Sequence, residues 1–466
     1  MNLFFKRIFI TVTLLFSCSI YGQTWTQVGA QIDGTFPKEG FGHSVSLSGN
    51  GNIMAVGTPN NYGDFGGQVK IYQNISNVWT LIGKPINGEK KSDGSGFSIS
   101  LSKDGAVVAI GAYQNDGYAN DAGHVRIYRN ISGTWTKIGS DIDGKAEDEI
   151  SGQAVSINAD GSIVAIGAIG NSTLGAGAGQ VRIYENINNV WKQVGQGING
   201  EAAYDNFGKS VSISDNGSVV AIGAYGNNAS GSEAGHARVY ENVSGTWIQI
   251  GRDIDGEAAG DRSGISISLS GDGAVVAVGS DDNSGNGYRA GHVRVYKNEL
   301  GSWTQIGRDI DGEFSNDQFG GSSVSLNSDG SILAAGASFN HNTGHVRVFE
   351  NLEDTWIQVG SDINGILYKG DFGKSVSINS DGSVVVAGGI GSGYNYDAAG
   401  YVNVWREPCR ETHDTIYPIT CSAYSSPSGK IWEISNTYKD TILNVAGCDS
   451  ILTIYLTIDS IEAYII

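Results

Sequence analysis

One acidic position recurs along the chain, and carboxylates repeated at a near-constant interval are the first candidates for chemistry. The series lies in glycine-rich segments and consists of Glu39, Asp93, Glu149, Asp205, Asp261 and Asp317, with Gly370 at the seventh equivalent position. Carboxylates and carbonyls on loops are hard oxygen ligands that suit Ca²⁺. The same residue types also cap backbone N–H groups in turns, so a structural role stands beside the cation site.

A second candidate metal site is the consecutive run Asp281, Asp282 and Asn283, which lies in a long polar segment. Three oxygen-bearing side chains in a row are the nearest approach in this sequence to a calcium-binding ladder. Ca²⁺ is therefore the cofactor that we would expect if the protein holds one.

Aromatic residues divide into two groups by their spacing. The tyrosines of the polar segments differ from one part of the chain to the next, and they are Tyr113, Tyr118, Tyr204, Tyr225, Tyr288, Tyr394 and Tyr396. Aromatic rings can stack on sugars, so these tyrosines are candidates for glycan binding. The tryptophans instead recur every 53 to 56 residues, at Trp25, Trp79, Trp135, Trp191, Trp247, Trp303 and Trp356. A fixed position favours a packing role for them.

Catalytic motifs are not evident. Histidine recurs in a Gly-His-Val/Ala-Arg context at His124, His236, His292 and His345, but Gln68, Gln180 and Tyr401 replace it elsewhere in the chain. Such free replacement favours a hydrogen-bonding role at a strand edge over a catalytic base. No HExxH, Ser-His-Asp order or phosphate-binding loop is present. We therefore predict a protein without enzymatic activity.

The elements that position these residues follow from an internal repeat, shown well by residues 191–240. Each repeat contains four short strand-like runs, here residues 207–214, 218–224, 236–242 and 247–254. The second run is almost continuously apolar, which is typical of a strand buried on both faces. An Asn-Gly or Asp-Gly pair, a strong hairpin signal, joins the first two runs in all seven copies.

Seven units of four antiparallel strands indicate an all-β, seven-bladed β-propeller. The last repeat stops after three strands at Trp405, and the chain opens at Trp25 with a lone fourth strand. We therefore expect the N-terminal strand to complete the last blade and close the ring. A solenoid would leave two exposed edges. In the propeller, the links between blades and the loops after each second strand share one face, which carries the acids and tyrosines.

The repeat, with its F-G-x-S-V-S run followed by V-A-I-G-A, resembles the FG-GAP repeat of integrin α-subunit propellers over residues 25–405. This resemblance implies an extracellular adhesion or ligand-binding propeller. Integrin FG-GAP repeats that bind calcium use a D-x-D/N-x-D ladder in the first hairpin of a blade. The equivalent hairpins here are too short for that ladder, so the resemblance does not carry those sites over.

The ends of the chain differ from the repeats. Residues 1–22 have the charged, apolar and small-residue regions of an export signal, with cleavage expected after Gly22. We take residues 23–406 as the propeller and residues 407–466 as a small, sandwich-like β-rich module. The tail text CSAYSSPSG…NVAGCDS resembles a module of surface proteins from bacteria with type IX secretion. Export permits a disulfide, and Cys421 with Cys448 is the expected pair.

Composition limits the partners. The formal net charge is −19, and an acidic surface repels nucleic acid and anionic membrane. No later stretch reaches the roughly 20 apolar residues of a membrane span. We expect a secreted or cell-surface protein that binds an extracellular glycan or protein. The alternatives are a secreted polysaccharide lyase or hydrolase on the same scaffold, and a purely structural surface protein.

Overall fold

The structure is a computed structural model, and it describes residues 24–60, 66–340, 343–368, 370–391, 399–407, 412–420, 422–443 and 449–459. Three expectations fall outside these residues: the export signal, the Cys421–Cys448 disulfide and the tyrosines Tyr394 and Tyr396. The described part of the chain is all-β and contains no α-helix. Accordingly, no helix in these ranges is long and apolar enough to span a bilayer.

Strands β1 (Thr26–Gln27) and β2 (Ile32–Asp33) come first, and six complete blades follow. Each blade has four antiparallel strands and a short fifth strand paired with the third. Blade 1 contains β3 (Ser44–Leu47), β4 (Ile53–Thr58), β5 (Gln68–Ile75), β6 (Val78–Leu81) and β7 (Ile86–Asn87). Blade 2 contains β8 (Ser98–Leu101), β9 (Val107–Ala112), β10 (His124–Ile131), β11 (Thr134–Lys137) and β12 (Ile142–Asp143). Blade 3 contains β13 (Ser151–Ile157), β14 (Ile163–Ala168), β15 (Gln180–Ile187), β16 (Val190–Gln193) and β17 (Ile198–Asn199).

The other blades repeat this order. Blade 4 contains β18 (Ser210–Ile213), β19 (Val219–Ala224), β20 (His236–Val243), β21 (Thr246–Gln249) and β22 (Ile254–Asp255). Blade 5 contains β23 (Ser266–Leu269), β24 (Val275–Ser280), β25 (His292–Glu299), β26 (Ser302–Gln305) and β27 (Ile310–Asp311). Blade 6 contains β28 (Val324–Leu326), β29 (Ile332–Ala337), β30 (His345–Leu352), β31 (Thr355–Gln358) and β32 (Ile363–Asn364). Blade 7 contains β33 (Ser375–Ile378), β34 (Val384–Gly389) and β35 (Tyr401–Arg406).

Blade 7 is completed by the start of the chain, which confirms the expected closure. Strand β1 pairs antiparallel with β35, with Thr26 opposite Arg406, and β2 pairs with the same strand through Ile32 opposite Val402. Trp25 is buried in the apolar cluster between blades 6 and 7. The ring is therefore closed by ordinary sheet hydrogen bonds and packing between the two ends of the repeat region.

The second strand of each blade is its buried centre. Strands β9, β19, β24 and β34 are buried along their whole length, as the continuous apolar runs predict. Their glycine allows neighbouring blades to approach closely. A Cβ placed on Gly223 would lie only 2.0 Å from the carbonyl oxygen of Gly264 in the next blade. The Val-Ala-Ile-Gly-Ala motif thus encodes the contact between blades as well as the strand.

Every tryptophan of the repeat joins two adjacent blades. The indole N–H of Trp247 donates to the backbone oxygen of Val194 at 2.9 Å. The equivalent bonds, from 2.9 to 3.1 Å, are donated by Trp25, Trp79, Trp135, Trp191, Trp303 and Trp356. The predicted packing role of the tryptophans is therefore confirmed, with a hydrogen bond added to it.

Two further rings of hydrogen bonds hold the innermost strands together. Seven serine hydroxyls each accept an N–H bond of 2.9–3.1 Å from the next blade, and they belong to Ser46, Ser100, Ser156, Ser212, Ser268, Ser325 and Ser377. At one end of the strands, seven backbone N–H groups donate head to tail around the ring, from Gly49, Lys103, Ala159, Asp215, Gly271, Ser328 and Ser380. These bonds satisfy backbone groups where adjacent inner strands form no ladder.

The tail folds separately into β36 (Thr412–Ile416), β37 (Ile419–Thr420), β38 (Tyr424–Ser425), β39 (Ile431–Trp432), β40 (Asn436–Leu443) and β41 (Asp449–Ile458). Strand β41 pairs with β36, β37 and β40, whereas β38 and β39 form a two-stranded sheet. Trp432 stacks on Tyr438 at 4.4 Å between ring centres. The expected β-rich module is therefore present.

Candidate functional site

The links between blades and the loops from second to third strands form one surface of the ring, called the loop face below. The opposite surface, the far face, carries the hairpins between first and second strands and those between third and fourth strands. The two loop types of the loop face are bonded to each other, as Asn227 and Asp205 show at 3.3 Å. This contact places the predicted acidic positions and tyrosine loops side by side.

The recurring acids lie beneath the loop face instead of on it. Glu39, Asp93, Glu149, Asp205, Asp261 and Asp317 are each at most 4% exposed. Asp205 accepts backbone N–H bonds from Glu201 and Ala202 at 3.0 and 2.9 Å. Asp93 and Asp317 make similar bonds within their own links. The expectation of carboxylates facing a ligand is thus corrected, because the turns of each link use these oxygens as caps.

A buried asparagine completes this arrangement and was missed in the sequence analysis. Asn115 donates to Asp93 at 2.9 Å, and Asn171 donates to Glu149 at 2.7 Å. Both asparagines lie 22 residues after their acid, as Asn227 does after Asp205. The constant separation of 22 residues between acid and asparagine is the sequence signal that could have identified this asparagine. Asp93, Glu149 and Asp205 therefore hold the two loop types of the loop face together.

The run Asp281, Asp282 and Asn283 is occupied by arginines and backbone, which corrects the second candidate metal site. Arg262 lies 3.2 Å from Asp281, and Arg289 lies 2.7 Å from Asp282. The Asn283 side chain accepts from the backbone N–H of Gly285 at 2.9 Å. Burial raises the pKa of Asp281 to about 6, although the Arg262 guanidinium opposes that shift. Arg262 and Arg289 therefore already supply positive charge at this run, while Asp281 Oδ1 has no hydrogen-bond partner among the described residues.

Four blades bring a glutamate, a histidine and an aspartate together. Their potential ligand atoms lie within 4.8 Å of one another in the groups Glu89–His124–Asp141, Glu201–His236–Asp253, Glu257–His292–Asp309 and Glu313–His345–Asp362. Each group also contacts an arginine, and Arg238 pairs with both Glu201 and Asp253. Burial, with help from Arg238, lowers the pKa of His236 and favours its neutral form. The guanidinium offsets one of the two carboxylate charges in each group, and its contacts tie the links to the blade edges.

The predicted tyrosines take different positions on the loop face. Tyr118 and Tyr288 are exposed at loop tips, whereas Tyr113 and Tyr225 are half-buried closer to the centre. Arg262 lies over the ring of Tyr225, 4.8 Å from its centre. Tyr113 packs against Phe97 with 4.4 Å between ring centres. The structure therefore separates three exposed tyrosines, Tyr118, Tyr204 and Tyr288, from the half-buried Tyr113 and Tyr225.

A cavity of about 440 Å³ opens at the centre of the ring and is called the channel mouth below. Its wall includes the residue two positions before the first valine or isoleucine of each inner strand, which differs between blades: His43, Phe97, Gln153, Lys209, Ile265, Ser322 and Lys374. Arg262, Asp281, Gln318 and Phe339 also line it. Equivalent positions of the repeats thus place different residue types around one cavity. The sequence analysis did not identify this site.

Positive charge dominates the channel mouth. Among the described lining residues, Lys209, Lys374 and Arg262 face a single carboxylate, that of Asp281. Burial and the nearby Lys374 ammonium lower the pKa of Lys209 to about 8. Burial also lowers the pKa of Lys374. Two lysines that lose solvent and repel each other are poised to interact with an anion.

Aromatic groups form another part of the wall, which begins beside Lys374 in the order of the blades. His43 packs on Phe97 with 4.5 Å between ring centres, and its Nδ1 lies 3.2 Å from the Phe97 carbonyl oxygen. Burial and the Lys374 charge lower the pKa of His43 to about 4, so the imidazole is neutral at pH 7. With Phe339, these rings give the channel mouth apolar surface beside its charged groups.

The far end of the channel is narrower. A cavity of about 140 Å³ lies there, lined by inner-strand residues such as Leu47, Leu269 and Ile378. Lys103 and Asp215, which project from blades two positions apart, form an ion pair of 2.5 Å at this end. The larger channel mouth is therefore the better ligand site of the two.

The FG-GAP repeat family model matches residues 199–240, which cover one repeat of the propeller. A chain in the crystal structure of the mitotic checkpoint complex is 12% identical, with 87% of this chain and 98% of that chain covered and a TM-score of 0.51. A Bacteroides uniformis protein assigned as a 6-phosphogluconolactonase is 13% identical, with 70% and 87% covered and a TM-score of 0.48. No curated protein matches the chain. The chain is thus a β-propeller protein with an FG-GAP repeat, and the structural similarity concerns its fold alone.

Proposed function

We propose that this protein is an exported, non-catalytic binding protein that holds an extracellular glycan or protein partner on its loop face. The export part rests on the signal-like residues 1–22. N-terminal sequencing of the protein recovered outside the cytoplasm should give Gln23 as the first residue. Recovery of uncleaved protein in the cytoplasm alone would contradict export.

The observation that carries the binding proposal is where the blades differ. The tryptophan bonds and the inner serine bonds recur in all seven blades. The residues around the channel mouth instead change from blade to blade, from His43 to Lys209 to Ile265. Stability requires the repeated contacts, whereas diversity on loops held by a rigid scaffold is typical of recognition.

Exposed aromatic residues on the loop face support the same conclusion. Seven of them are 50% to 69% exposed: Phe36, Tyr118, Tyr204, Tyr288, Phe314, Phe339 and Tyr368. Large aromatic rings are enriched in binding interfaces because they bury much area at little entropic cost. A partner could therefore bind the channel mouth and also contact the exposed aromatic rings of the loop face.

The experiment compares two triple variants of the full chain. The loop-face variant is Tyr118→Ala/Tyr204→Ala/Tyr288→Ala, and the matched far-face variant is Val78→Ala/Val190→Ala/Leu300→Ala, which also removes three exposed side chains. Binding to a glycan array and to purified extracellular proteins is measured, with thermal melts to compare folding. We expect at least a tenfold loss, about 1.4 kcal/mol, in the loop-face variant alone. Equal binding by both variants would exclude the loop face.

A secreted carbohydrate-active enzyme is the second candidate. The observation in its favour is that the channel mouth gathers Lys209, with its lowered pKa, and the buried Asp281 in one cavity. Perturbed groups in a cleft are typical of active sites, although ion-pair networks perturb them as well. Any glycan that binds is therefore incubated with the protein and analysed by chromatography. New reducing ends or unsaturated products would replace the non-catalytic proposal with this one.

A further inference from the structure

We infer that the channel mouth binds the carboxylate of a uronic acid residue in an acidic glycan, with the sugar ring against apolar residues of the cavity wall. This inference rests on the proposed function and names the ligand class of the same face. The ligand follows from three properties of the cavity: its charge, its apolar side and its depth.

The carboxylate of Asp281 attracts both Lys209 and Lys374, and that of Asp371 attracts Lys374, but neither forms a close ion pair with these ammonium groups in the described residues. Arg262 is paired with Asp281 at 3.2 Å and with Asp282 at 3.6 Å. No ion pair or side-chain hydrogen bond links the ammonium groups of Lys209 or Lys374 to the residues that the structure describes. The chain as a whole carries −19, so two unpaired cations in one half-buried cavity are a local exception. An anion between them would relieve both their desolvation and their mutual repulsion.

The two lysines reach the cavity from opposite parts of the ring. Lys209 precedes β18 of blade 4 and Lys374 precedes β33 of blade 7, so they reach the cavity from blades three positions apart. Gln153 and Gln318 lie in the same wall and add neutral polar groups. A carboxylate has two oxygens and can accept from both ammonium groups at once.

The apolar side distinguishes a sugar acid from a small inorganic anion. Phe97, Ile265 and Phe339 line the cavity together with the lysines, and the Phe339 ring is largely exposed. An inorganic anion would leave these side chains in water. The C–H groups of a pyranose ring would cover them, so a ligand that combines a carboxylate with an apolar ring face suits both the charged and the apolar residues of the wall.

The depth of the cavity favours a single sugar residue. Its volume of about 440 Å³ is within the range of small-molecule sites. Below it, the inner strands present apolar side chains such as Val45, Val211 and Val376, and the far end carries the Lys103–Asp215 pair. A glycan strand therefore enters by one terminal residue and leaves across the loop face, where the exposed aromatics lie.

The test uses the full chain and isothermal titration calorimetry. The probes are trigalacturonate and trimannuronate, their methyl esters, and a hexaglutamate peptide. The variant is Lys209→Met/Lys374→Met, and the matched control is Lys192→Met/Lys297→Met, which removes the same charge from exposed strand positions. The variant Lys209→Arg/Lys374→Arg keeps the charge and controls for folding.

We expect at least one uronate to bind, and its methyl ester to bind at least tenfold more weakly. The Lys209→Met/Lys374→Met variant should lose roughly a hundredfold in affinity, since each charge-assisted bond contributes about tenfold. The control should be unchanged, and the arginine variant should retain most of the affinity.

Three results would overturn the inference. One is the absence of uronate binding at millimolar concentration, and another is equal binding of acids and esters. The third is tighter binding of hexaglutamate, which would assign the channel mouth to an acidic protein segment. In each case the loop-face experiment with tyrosine variants still decides the proposed function, because its probes include neutral glycans and proteins.

Discussion

Trp25→Ala tests whether the start of the chain keeps the propeller closed. Trp25 is 9% exposed and donates to Val359 at 2.9 Å, and Trp247 is 4% exposed and donates to Val194 at the same distance. Trp247→Ala is therefore a matched control inside the ring. From local contacts alone, either change removes a buried indole and costs about 3–5 kcal/mol of unfolding free energy.

The two tryptophans differ in how their strands are attached. A two-residue turn joins β21, which contains Trp247, to β20 of the same blade. Strands β1 and β2 meet β35 through two residue pairs each, and the Val28 N–H adds one bond to Val404 at 2.8 Å. With so few other contacts, residues 24–33 should detach locally once the indole is lost, while the remaining blades stay folded.

Hydrogen exchange measured by mass spectrometry separates these outcomes. In Trp25→Ala, the opening free energy of residues 24–33 should fall by about 3–5 kcal/mol, with little change in blades 2 to 5. In Trp247→Ala, the loss should appear as lower global stability in a denaturant melt. If residues 24–33 exchange in Trp25→Ala as slowly as in the wild type, the closure reasoning is refuted.

Three other predictions concern packing, cations and protonation. Gly223→Ala should lower the unfolding free energy by about 1–3 kcal/mol or more in a denaturant melt, because the Cβ of the alanine would meet the Gly264 oxygen. An unchanged midpoint would contradict the close contact between blades. Millimolar Ca²⁺ should leave the melting temperature after EDTA treatment unchanged relative to NaCl of equal ionic strength, because backbone N–H groups and an arginine already bond to Oδ2 of Asp205 and of Asp281. A saturable rise would restore the calcium sites. Uronate affinity should fall between pH 7 and pH 9.5, because Lys209 loses its proton near pH 8. Lys374 also contributes to this fall, whereas Arg262 stays charged. The Lys209→Met variant should show a weaker pH dependence, and an equally steep profile in that variant would refute the assignment.

The sequence was sufficient for the fold because each blade repeats the same local signals. The Asn-Gly and Asp-Gly turns, the apolar second strands and the fixed tryptophans each recur often enough to count strands. Closure by β1 followed from the same count. The structure confirms these predictions because hairpin chemistry and burial are local properties that repetition makes visible.

The site was harder to predict because it depends on residues from different blades. Lys209 and Lys374 are 165 residues apart in the chain, and nothing local shows that they share a cavity. The recurring acids misled in the opposite way. Asp205 has the residue type of a calcium ligand, but its bonds to nearby N–H groups and to Asn227 become visible only once the loops are folded.

The ring of backbone bonds from Gly49 to Ser380 runs in one direction and returns to its starting point. No blade in such a ring is structurally first or last, and Thr26 lies opposite Arg406 where the chain closes. The order of the blades along the chain is thus a matter of connectivity, while the interactions between them are cyclic. A circular permutant that joins these neighbouring ends and opens a far-face hairpin would preserve the same hydrogen-bonded ring and the same channel mouth.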